Sequence, residues 1–377
     1  MTDKKEKILI LFEGPHLAYS PTVTQLYDEL SKNYEVTIVA QHPEDFTNQE
    51  LNRQNIVYYK YKHGPVRYFY RVLFEILTRI SQKVKYPYNH KITYQEYFFR
   101  IPLIRRLCGS NDYKRIVSVD SRNLFFVSVL KIKSDFLSLE IRDEKLLLSV
   151  DTKLINCVII QNKARYDYLF QNKILKTFFV QNAPNFEKKK LKETRKGLIF
   201  AGTAWTAFGF YHCLNYINMY PEEILTVQGA MKNEDKETIK LKHSNLLKEN
   251  RLIVNDKYLD NKDVVECISN FEIGFCFYDF DTDWINNFNY KTAPSGKLFK
   301  CLAAGVPVIC NDIIGFDFVN EFKCGVLIKN LSETEIRNAV LQIRGNYQYY
   351  VTNATKAAMH FSFDKSIKPY LEYIKEN

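Results

Sequence analysis

The sequence predicts an α/β fold built from two successive halves, each a doubly wound parallel sheet with helices between its strands. The chain has 377 residues, which suits two domains of about 150–200 residues better than one core. Short continuous apolar runs alternate with helical stretches, as expected for buried parallel strands. The order of apolar run, glycine turn and helix occurs near residue 8 and again near residue 198. Each half therefore opens in the same way.

The first predicted domain covers residues 1–186. Its first strand, at residues 8–12, leads into Gly14 and Pro15. Ser20 and Pro21 supply a helix N-cap and a first-turn proline, and the helix should run to about Ser31. Later strands are expected at residues 35–40, 115–119, 136–139, 158–160 and 178–180.

The second predicted domain covers residues 197–352, after a charged linker at residues 187–196. Its strands are expected at residues 198–201, 224–228, 252–255, 273–277 and 306–310. Residues 353–377 should form a C-terminal helix that packs back on the first domain. We expect interruptions of this helix near residues 361–364 and at Pro369, since proline breaks the helical hydrogen-bond pattern.

Composition excludes several classes of protein. Apolar residues make up 46% and charged residues 25%, so the chain is globular rather than disordered. Its eight cysteines are scattered without a C-x-x-C pair, which indicates reduced thiols in the cytoplasm. No apolar run approaches the roughly 18 residues that a membrane span needs.

The positive charge is concentrated in one segment. The net charge is +10, and residues 60–106 hold eleven Lys or Arg against two Glu, among many aromatic residues. Apolar residues at helical spacing between positions 66 and 80 form a basic amphipathic helix that could lie on an anionic membrane. The same pattern also suits a helix packed on the first sheet with a solvated basic face. Single-stranded nucleic acid is a third possible partner.

The most informative stretch is residues 293–311, APSGKLFKCLAAGVPVICN. Pro294 and Ser295 should start a helix with Gly296 and Lys297 in its first turn, and Gly305 should end it. Backbone amides, a hydroxyl and an ammonium group together form an anion site suited to a diphosphate. The alternative is an ordinary amphipathic helix with a lysine near its start.

This stretch resembles the donor-binding motif of bacterial GT-B glycosyltransferases of the group 1, or family 4, type, in which P-S-K-L-F-E-Y-L-A-A-G-x-P-V-I is typical. The resemblance extends to the first glycine loop, to residues 182–185 and to the glycine loop at 200–203. It implies two Rossmann-like domains facing across a cleft, with a C-terminal helix crossing back. It also implies a nucleotide-sugar donor in the second domain, an acceptor in the first, and a hexosyltransferase reaction that retains the anomeric configuration. One position departs from the pattern: Lys300 stands where a glutamate that binds the ribose hydroxyls is typical, and lysine cannot accept those hydrogen bonds.

Two further loops of the second half are predicted to bind the donor. Gly202 lets the backbone approach a phosphate closely, and Thr203 adds a hydroxyl donor. The loop of Lys257, Tyr258 and Leu259 should hold the base through backbone groups, as in similar enzymes, although it could be a plain loop.

The carboxylates of residues 279–283 have a D-x-D spacing that suits Mg²⁺ or Mn²⁺, and they are placed like the metal-binding D-x-D of glycosyltransferases of the other large fold, GT-A. Chains of the GT-A type lack a second strand–glycine loop–helix half, so the two-half organisation argues against such a metal site. We therefore expect no metal and no cofactor, with the nucleotide sugar as a substrate.

Candidate catalytic and acceptor residues lie at strand ends of the first half. Asp120 and His16 are the candidate catalytic groups, since a carboxylate or imidazole there could act as a base or orient the acceptor. Gly14, Glu140 and Asp143 are the candidate acceptor-side residues. Each could instead be a capping or surface residue.

The sequence thus predicts a cytoplasmic glycosyltransferase that extends a lipid-linked or polysaccharide acceptor, as in lipopolysaccharide or capsule biosynthesis, with peripheral contact to an anionic membrane and without nucleic acid. The alternative is a non-catalytic protein of the same fold that binds a membrane or nucleic acid through residues 60–106. An epimerase of this fold would need acidic residues around the sugar that the sequence does not place.

Overall fold

The computed structural model describes residues 5–43, 55–59, 69, 72, 76, 100–110, 112–171, 173–187, 192, 194–257, 259 and 261–377. The chain forms two compact units. The first comprises Met1–Phe179 together with Ile367–Asn377, and the second comprises Val180–Ser366. The chain therefore enters the second unit before the charged segment at 187–196 and returns to the first within its last helix.

The first unit is built on a seven-stranded, fully parallel sheet with the order β3-β2-β1-β4-β5-β6-β7. Its strands are β1 Lys7–Leu11, β2 Glu35–Gln41, β3 Ile56–Tyr59, β4 Tyr113–Val119, β5 Ser134–Leu137, β6 Ile155–Ile160 and β7 Thr177–Phe179. The helices described are α1 Pro21–Ser31, α2 Ile101–Ser110, α3 Asp120–Val129 and α4 Lys163–Phe170, with 3-10 turns at Leu17–Tyr19, Glu144–Ser149 and Thr152–Leu154.

Burial explains why the central strands are continuous apolar runs. Ile8, Leu9 and Ile10 of β1 have no exposed surface, because neighbouring strands and covering helices leave neither face of a parallel sheet to water. Pro21 stands at the start of α1 as predicted. Ser20, however, makes no capping hydrogen bond and donates its hydroxyl to the His16 carbonyl instead.

The second unit is built on a six-stranded parallel sheet with the order β10-β9-β8-β11-β12-β13. Its strands are β8 Leu198–Ala201, β9 Leu225–Gln228, β10 Leu252–Asn255, β11 Ile273–Cys276, β12 Val308–Asn311 and β13 Gly325–Ile328. Its helices are α5 Phe210–Met219, α6 Asn233–Lys242, α7 Ser244–Lys248, α8 Asn261–Ile268, α9 Phe288–Thr292, α10 Gly296–Ala303, α11 Phe318–Phe322, α12 Glu333–Gly345 and α13 Tyr347–Phe361, with 3-10 turns at Thr206–Phe208 and Ile314–Phe316.

The last helix, α14, spans Phe363–Glu376 and belongs to the first unit from Ile367 onward. There Tyr370 donates a hydrogen bond of 2.9 Å to the buried carboxylate of Asp135. A break occurs between α13 and α14, near the predicted position. The predicted interruption at Pro369 is wrong, because α14 continues through that residue.

Both sheets reverse their strand order once, between β1 and β4 in the first and between β8 and β11 in the second. Crevices at such reversal points, outside the carboxyl ends of the strands, are where open α/β sheets bind ligands. Among the described residues, no helix combines the length and apolar character needed to cross a membrane.

Candidate functional site

The glycine loop after β8 lies at the reversal point of the second sheet. Gly202 has a φ of +128° and donates its amide hydrogen to the Gln228 carbonyl at 2.8 Å. A Cβ atom on Gly202 would lie 2.7 Å from Cδ of Lys297. Glycine is therefore required twice at this position, once for its backbone angle and once for the space that Lys297 occupies.

A second glycine, missed by the sequence analysis, supports this loop. Gly229 follows β9 with a φ of +142°, and a Cβ atom there would lie 2.4 Å from the Gly202 carbonyl oxygen. The two loops therefore touch backbone to backbone. Gly229 directly follows an apolar run, as Gly202 does, and this pattern in the sequence indicates a glycine loop at the end of a strand.

Lys297 lies in the first turn of α10, as predicted. Its Nζ atom is completely shielded from solvent, although the residue as a whole is only half-buried. Within the described part of the chain the Nζ atom has no hydrogen-bond partner. It lies 4.3 Å from the ring centroid of Phe208 and 4.7 Å from that of Phe200.

The environment of this ammonium group disfavours its charge. Burial lowers the pKa of Lys297 to about 8, and the nearby thiols of Cys276, Cys213 and Cys301 only partly oppose that effect. Aromatic faces attract a cation but do not replace the hydrogen bonds of its lost hydration shell. No described residue supplies this cation with an anionic partner.

The start of α10 carries two further polar groups. Ser295 is the N-cap residue, and its side chain makes no capping hydrogen bond. The amide of Asn182 lies over the same helix end, since a Cβ atom on Gly296 would be 3.0 Å from Asn182 Nδ2. Asn182, Ser295 and the first-turn amides thus surround the end of the helix that attracts anions.

Lys300 lies one turn further along α10 and is half-buried. Burial lowers its pKa as well. The position that departs from the family pattern thus adds a second partly desolvated cation to the same helix.

The predicted base-binding loop is described in part. The Lys257 carbonyl accepts a hydrogen bond of 2.8 Å from Gln228 Nε2, which ties this loop to the end of β9. Leu259 is half-buried, and Tyr258 lies outside the described residues.

The carboxylates after β11 are held within their own neighbourhood. Asp279 Oδ2 lies 3.3 Å from His212 Nε2, and its Oδ1 accepts the amide hydrogen of Asp281 at 3.2 Å. Over the residues that the structure describes, no group of three or more His, Cys, Asp or Glu side chains is arranged to hold a metal ion.

The reversal point of the first sheet holds Asp120, which begins α3 with a φ of +60°. Its Oδ1 atom accepts hydrogen bonds from the amides of Leu139 at 2.7 Å and Glu140 at 3.0 Å. Burial raises the pKa of Asp120 to about 7, although these two hydrogen bonds lower it. The residue as a whole is half-buried.

An ion-pair network at the same edge includes two residues that the sequence analysis missed. Arg122 donates from Nε to Asp143 at 2.7 Å and from a terminal nitrogen to Glu13 at 2.8 Å. Asp143 is therefore engaged in an ion pair. Glu13 directly follows the first apolar run and Arg122 follows Asp120 by two positions, so a polar residue just after a predicted strand is the signal that both share with Asp120.

The other first-unit candidates are placed more simply. Gly14 has a φ of +85° with open space around its α-carbon. His16 is exposed, and its carbonyl oxygen accepts from the Tyr19 amide at 3.0 Å. Glu140 forms an ion pair with Arg142 near the surface.

No protein-family model matches the sequence, and no curated protein matches it. Solved structures are similar over nearly the whole chain. HepE from Anabaena in complex with UDP has a TM-score of 0.67 at 11% identity and covers 99% of this chain and 100% of its own. An α,α-trehalose-phosphate synthase (UDP-forming) from Burkholderia vietnamiensis has a TM-score of 0.60 at 11% identity, with coverages of 99% and 100%.

A third similar structure is the corresponding synthase from Burkholderia xenovorans in complex with glucose-6-phosphate. It has a TM-score of 0.61 at 9% identity and covers 98% of this chain and 100% of its own. At these identities the similarity establishes the architecture. The chain has the GT-B fold that the sequence predicts, with two parallel-sheet α/β units.

Proposed function

We propose that this protein is a glycosyltransferase that binds a nucleotide-sugar donor, with UDP as its nucleotide, in the second unit. The observation that carries the proposal is the buried ammonium group of Lys297, which has no hydrogen-bond partner in the described structure. A diphosphate beside Gly202 and the start of α10 would supply that partner and would also accept hydrogen bonds from helix amides.

Sugar transfer requires stabilisation of the leaving nucleoside diphosphate. The bond between C1 of the sugar and the diphosphate oxygen breaks, and negative charge develops on that oxygen. Lys297 and the amides of α10 are fixed donors in a largely desolvated site, where such stabilisation is strongest. The choice of UDP is supported by the similar structures, of which one holds UDP and another is named as UDP-forming.

The acceptor is proposed to bind at the carboxyl edge of the first sheet. Asp120 is our candidate for the group that orients the acceptor hydroxyl or takes its proton, because a carboxyl group with a pKa of about 7 is near the optimum for that task at neutral pH. Glu13 and Arg122 lie at the same edge and would shape the pocket.

The finer features of the proposal come from the sequence resemblance. They are a retaining hexosyl transfer, a lipid-linked or polysaccharide acceptor in surface glycan synthesis, and a cytoplasmic location with peripheral contact to an anionic membrane. The predicted membrane segment, residues 60–106, lies mostly outside the described residues. We also propose that transfer needs no metal, since Lys297 supplies the positive charge; undiminished turnover in EDTA would be expected.

A thermal-shift screen with UDP, GDP, TDP and CMP tests the proposal. We expect UDP to raise the melting temperature, and Lys297→Ala to abolish the shift. Lys248→Ala, a change of an exposed lysine in the same unit, is the matched control and should leave the shift intact. The enzyme proposal fails if none of the four nucleotides stabilises the protein. Salt-sensitive binding of nucleic acid or anionic vesicles without any nucleotide effect would favour the non-catalytic alternative.

A further inference from the structure

Both tryptophans of the chain lie beside the Lys297 site. The sequence contains only Trp205 and Trp284, which follow β8 and β11, the two strands at the reversal point of the second sheet. Their ring centroids are 6.4 Å apart at an interplanar angle of 69°. Phe208 stacks on Trp205 at 5.6 Å and meets Trp284 at 6.4 Å. We refer to Trp205, Phe208 and Trp284 as the aromatic cluster.

The aromatic cluster is continuous with the buried cation. Phe208 is the ring that lies 4.3 Å from Lys297 Nζ, and it is also the ring stacked on Trp205. A group bound to the Lys297 ammonium would therefore lie next to the ring that contacts both indoles. This places the cluster within the length of a nucleotide sugar from its diphosphate.

Trp284 is poorly covered for so large an apolar side chain. It is 51% exposed. Its ring contacts with Trp205, Phe208 and Tyr290 have interplanar angles of 69–82°, so no described ring stacks parallel on it. Exposed aromatic groups gathered in one place on a protein surface commonly mark a binding site.

The strand order determines which part of a donor the cluster would meet. The order is β10-β9-β8-β11, and the predicted base-binding residues Lys257 and Leu259 follow β10. A nucleotide sugar is linear, with the diphosphate between the base and the sugar. A base on the β10 side and a diphosphate at Lys297 therefore leave the sugar on the β11 side, where Trp284 lies.

We propose that the aromatic cluster is the sugar subsite of the donor site and that Trp284 stacks on the pyranose ring. This inference rests on the proposed function. The C–H face of a pyranose ring is apolar and complements the face of an indole. Lys232 Nζ lies 4.8 Å from the ring centroid of Trp205, so Trp284, which is 51% exposed, is the indole that we assign to the sugar.

Calorimetry on four proteins tests this subsite: wild type, Trp284→Ala, Trp284→Phe and the control Tyr349→Ala. Tyr349 is 55% exposed on α13 and is remote in sequence from the loops of the cluster. The probes are UDP, UDP-glucose, UDP-galactose and UDP-N-acetylglucosamine. We expect Trp284→Ala to weaken the tightest-binding neutral UDP-sugar by about tenfold, a typical size for loss of an aromatic stacking contact.

Trp284→Ala should alter the affinity for UDP by less than about twofold, because UDP lacks the sugar. A change of that size is typical of a lost surface contact. Trp284→Phe should show a smaller loss, since it keeps a ring, and Tyr349→Ala none. Because both tryptophans belong to the cluster, neutral UDP-sugars should also quench the intrinsic fluorescence of the wild type more than UDP does.

Two results would overturn the subsite. Equal losses of UDP and UDP-sugar affinity would show that the cluster holds the nucleoside, and no loss for either would show that it holds neither. Failure of the proposed function itself would appear earlier and separately, as an absence of UDP binding by the wild type, and would remove the subsite with it.

Discussion

The pKa of Lys297 gives a quantitative prediction for UDP binding. Burial lowers this pKa to about 8 in the free protein. A bound diphosphate stabilises the ammonium form and therefore raises the pKa in the complex. Above about pH 8, binding must take up one proton, so the affinity should fall as the pH rises.

The magnitude follows from the two protonation states. In the free protein, about nine tenths of the Lys297 side chains are charged near pH 7 and about one tenth near pH 9. The UDP dissociation constant should therefore rise about tenfold between these pH values, which corresponds to about 1.4 kcal/mol of binding free energy. Titration calorimetry at constant ionic strength, from about pH 7 to about pH 9, measures this change while most UDP molecules keep a neutral uracil ring.

Lys297→Arg is the matched control, because a guanidinium group remains charged throughout this range. Whatever the size of its dissociation constant, we expect that constant to change less than about twofold with pH, well short of the tenfold effect of one proton. The reasoning is refuted if the wild-type constant is the same at both pH values, or if the arginine variant shows the same tenfold rise.

A separate consequence concerns the stability of the free protein. Since the unfolded chain binds the Lys297 proton more tightly than the folded protein does, the free energy of unfolding should increase between about pH 8 and the ordinary lysine pKa of 10.5.

Three further substitutions test other parts of the structure. Gly202→Ala should weaken UDP binding at least about tenfold, because the new methyl group would displace the Lys297 side chain. The control is Gly197→Ala: Gly197 also has a positive φ but lies at the opposite end of β8, so this change should cost only about 1 kcal/mol of folding stability. Calorimetry measures the loss of UDP affinity, and urea unfolding measures the loss of stability. In the wild type, kcat/KM should rise with pH as Asp120, with a pKa of about 7, loses its proton. Asp120→Asn should remove this rise. If the pH–rate profile of the variant keeps the rise, another group produces it. Tyr370→Phe should destabilise the first unit by about 1–2 kcal/mol, because it takes a hydrogen bond from a buried carboxylate. Tyr373 donates a longer hydrogen bond, of 3.4 Å, to the Asn156 carbonyl. Tyr373→Phe should therefore lower the free energy of unfolding by less in the same urea titration.

The sequence predicted the central strands well because their signal is local. A continuous apolar run such as residues 198–201 is buried by sheet neighbours on both sides, and β8 has the predicted bounds. The strands that were not predicted, β3 and β13, are both edge strands of four residues. The other two edge strands, β7 and β10, were predicted, so edge position alone does not explain why β3 and β13 were missed.

The donor helix was predicted from its sequence, but its environment was not. The Pro294–Lys297 stretch gave the start of α10 correctly within a residue or two. That the ammonium group of Lys297 is buried without a hydrogen-bond partner among the described residues could not be predicted, since its burial depends on Phe200 and Phe208, which are close only after folding. Gly229 was missed for the same reason: its need for a small side chain comes from the Gly202 carbonyl across the loop.

The interruption predicted at Pro369 illustrates the opposite error, in which tertiary contacts override a local rule. Proline removes one helical hydrogen bond and destabilises an isolated helix. In α14 the residues just after Pro369 are held by the sheet of the first unit, where Tyr370 is completely buried against Asp135. Packing of that kind stabilises a helix more than propensity does.

Lys300, the departure from the family pattern, is consistent with the charge distribution around Lys297. Both lysines lie in α10, and burial lowers the pKa of each. A glutamate at position 300 would have offered an acceptor to ribose hydroxyls and a counter-charge to Lys297, whereas lysine offers neither. This helix therefore carries two desolvated positive charges, which a ligand with two phosphate groups compensates better than one with a single phosphate. For the donor that we propose, lysine at position 300 cannot accept hydrogen bonds from the ribose, and we expect the predicted base-binding loop and the aromatic cluster to supply more of the donor specificity.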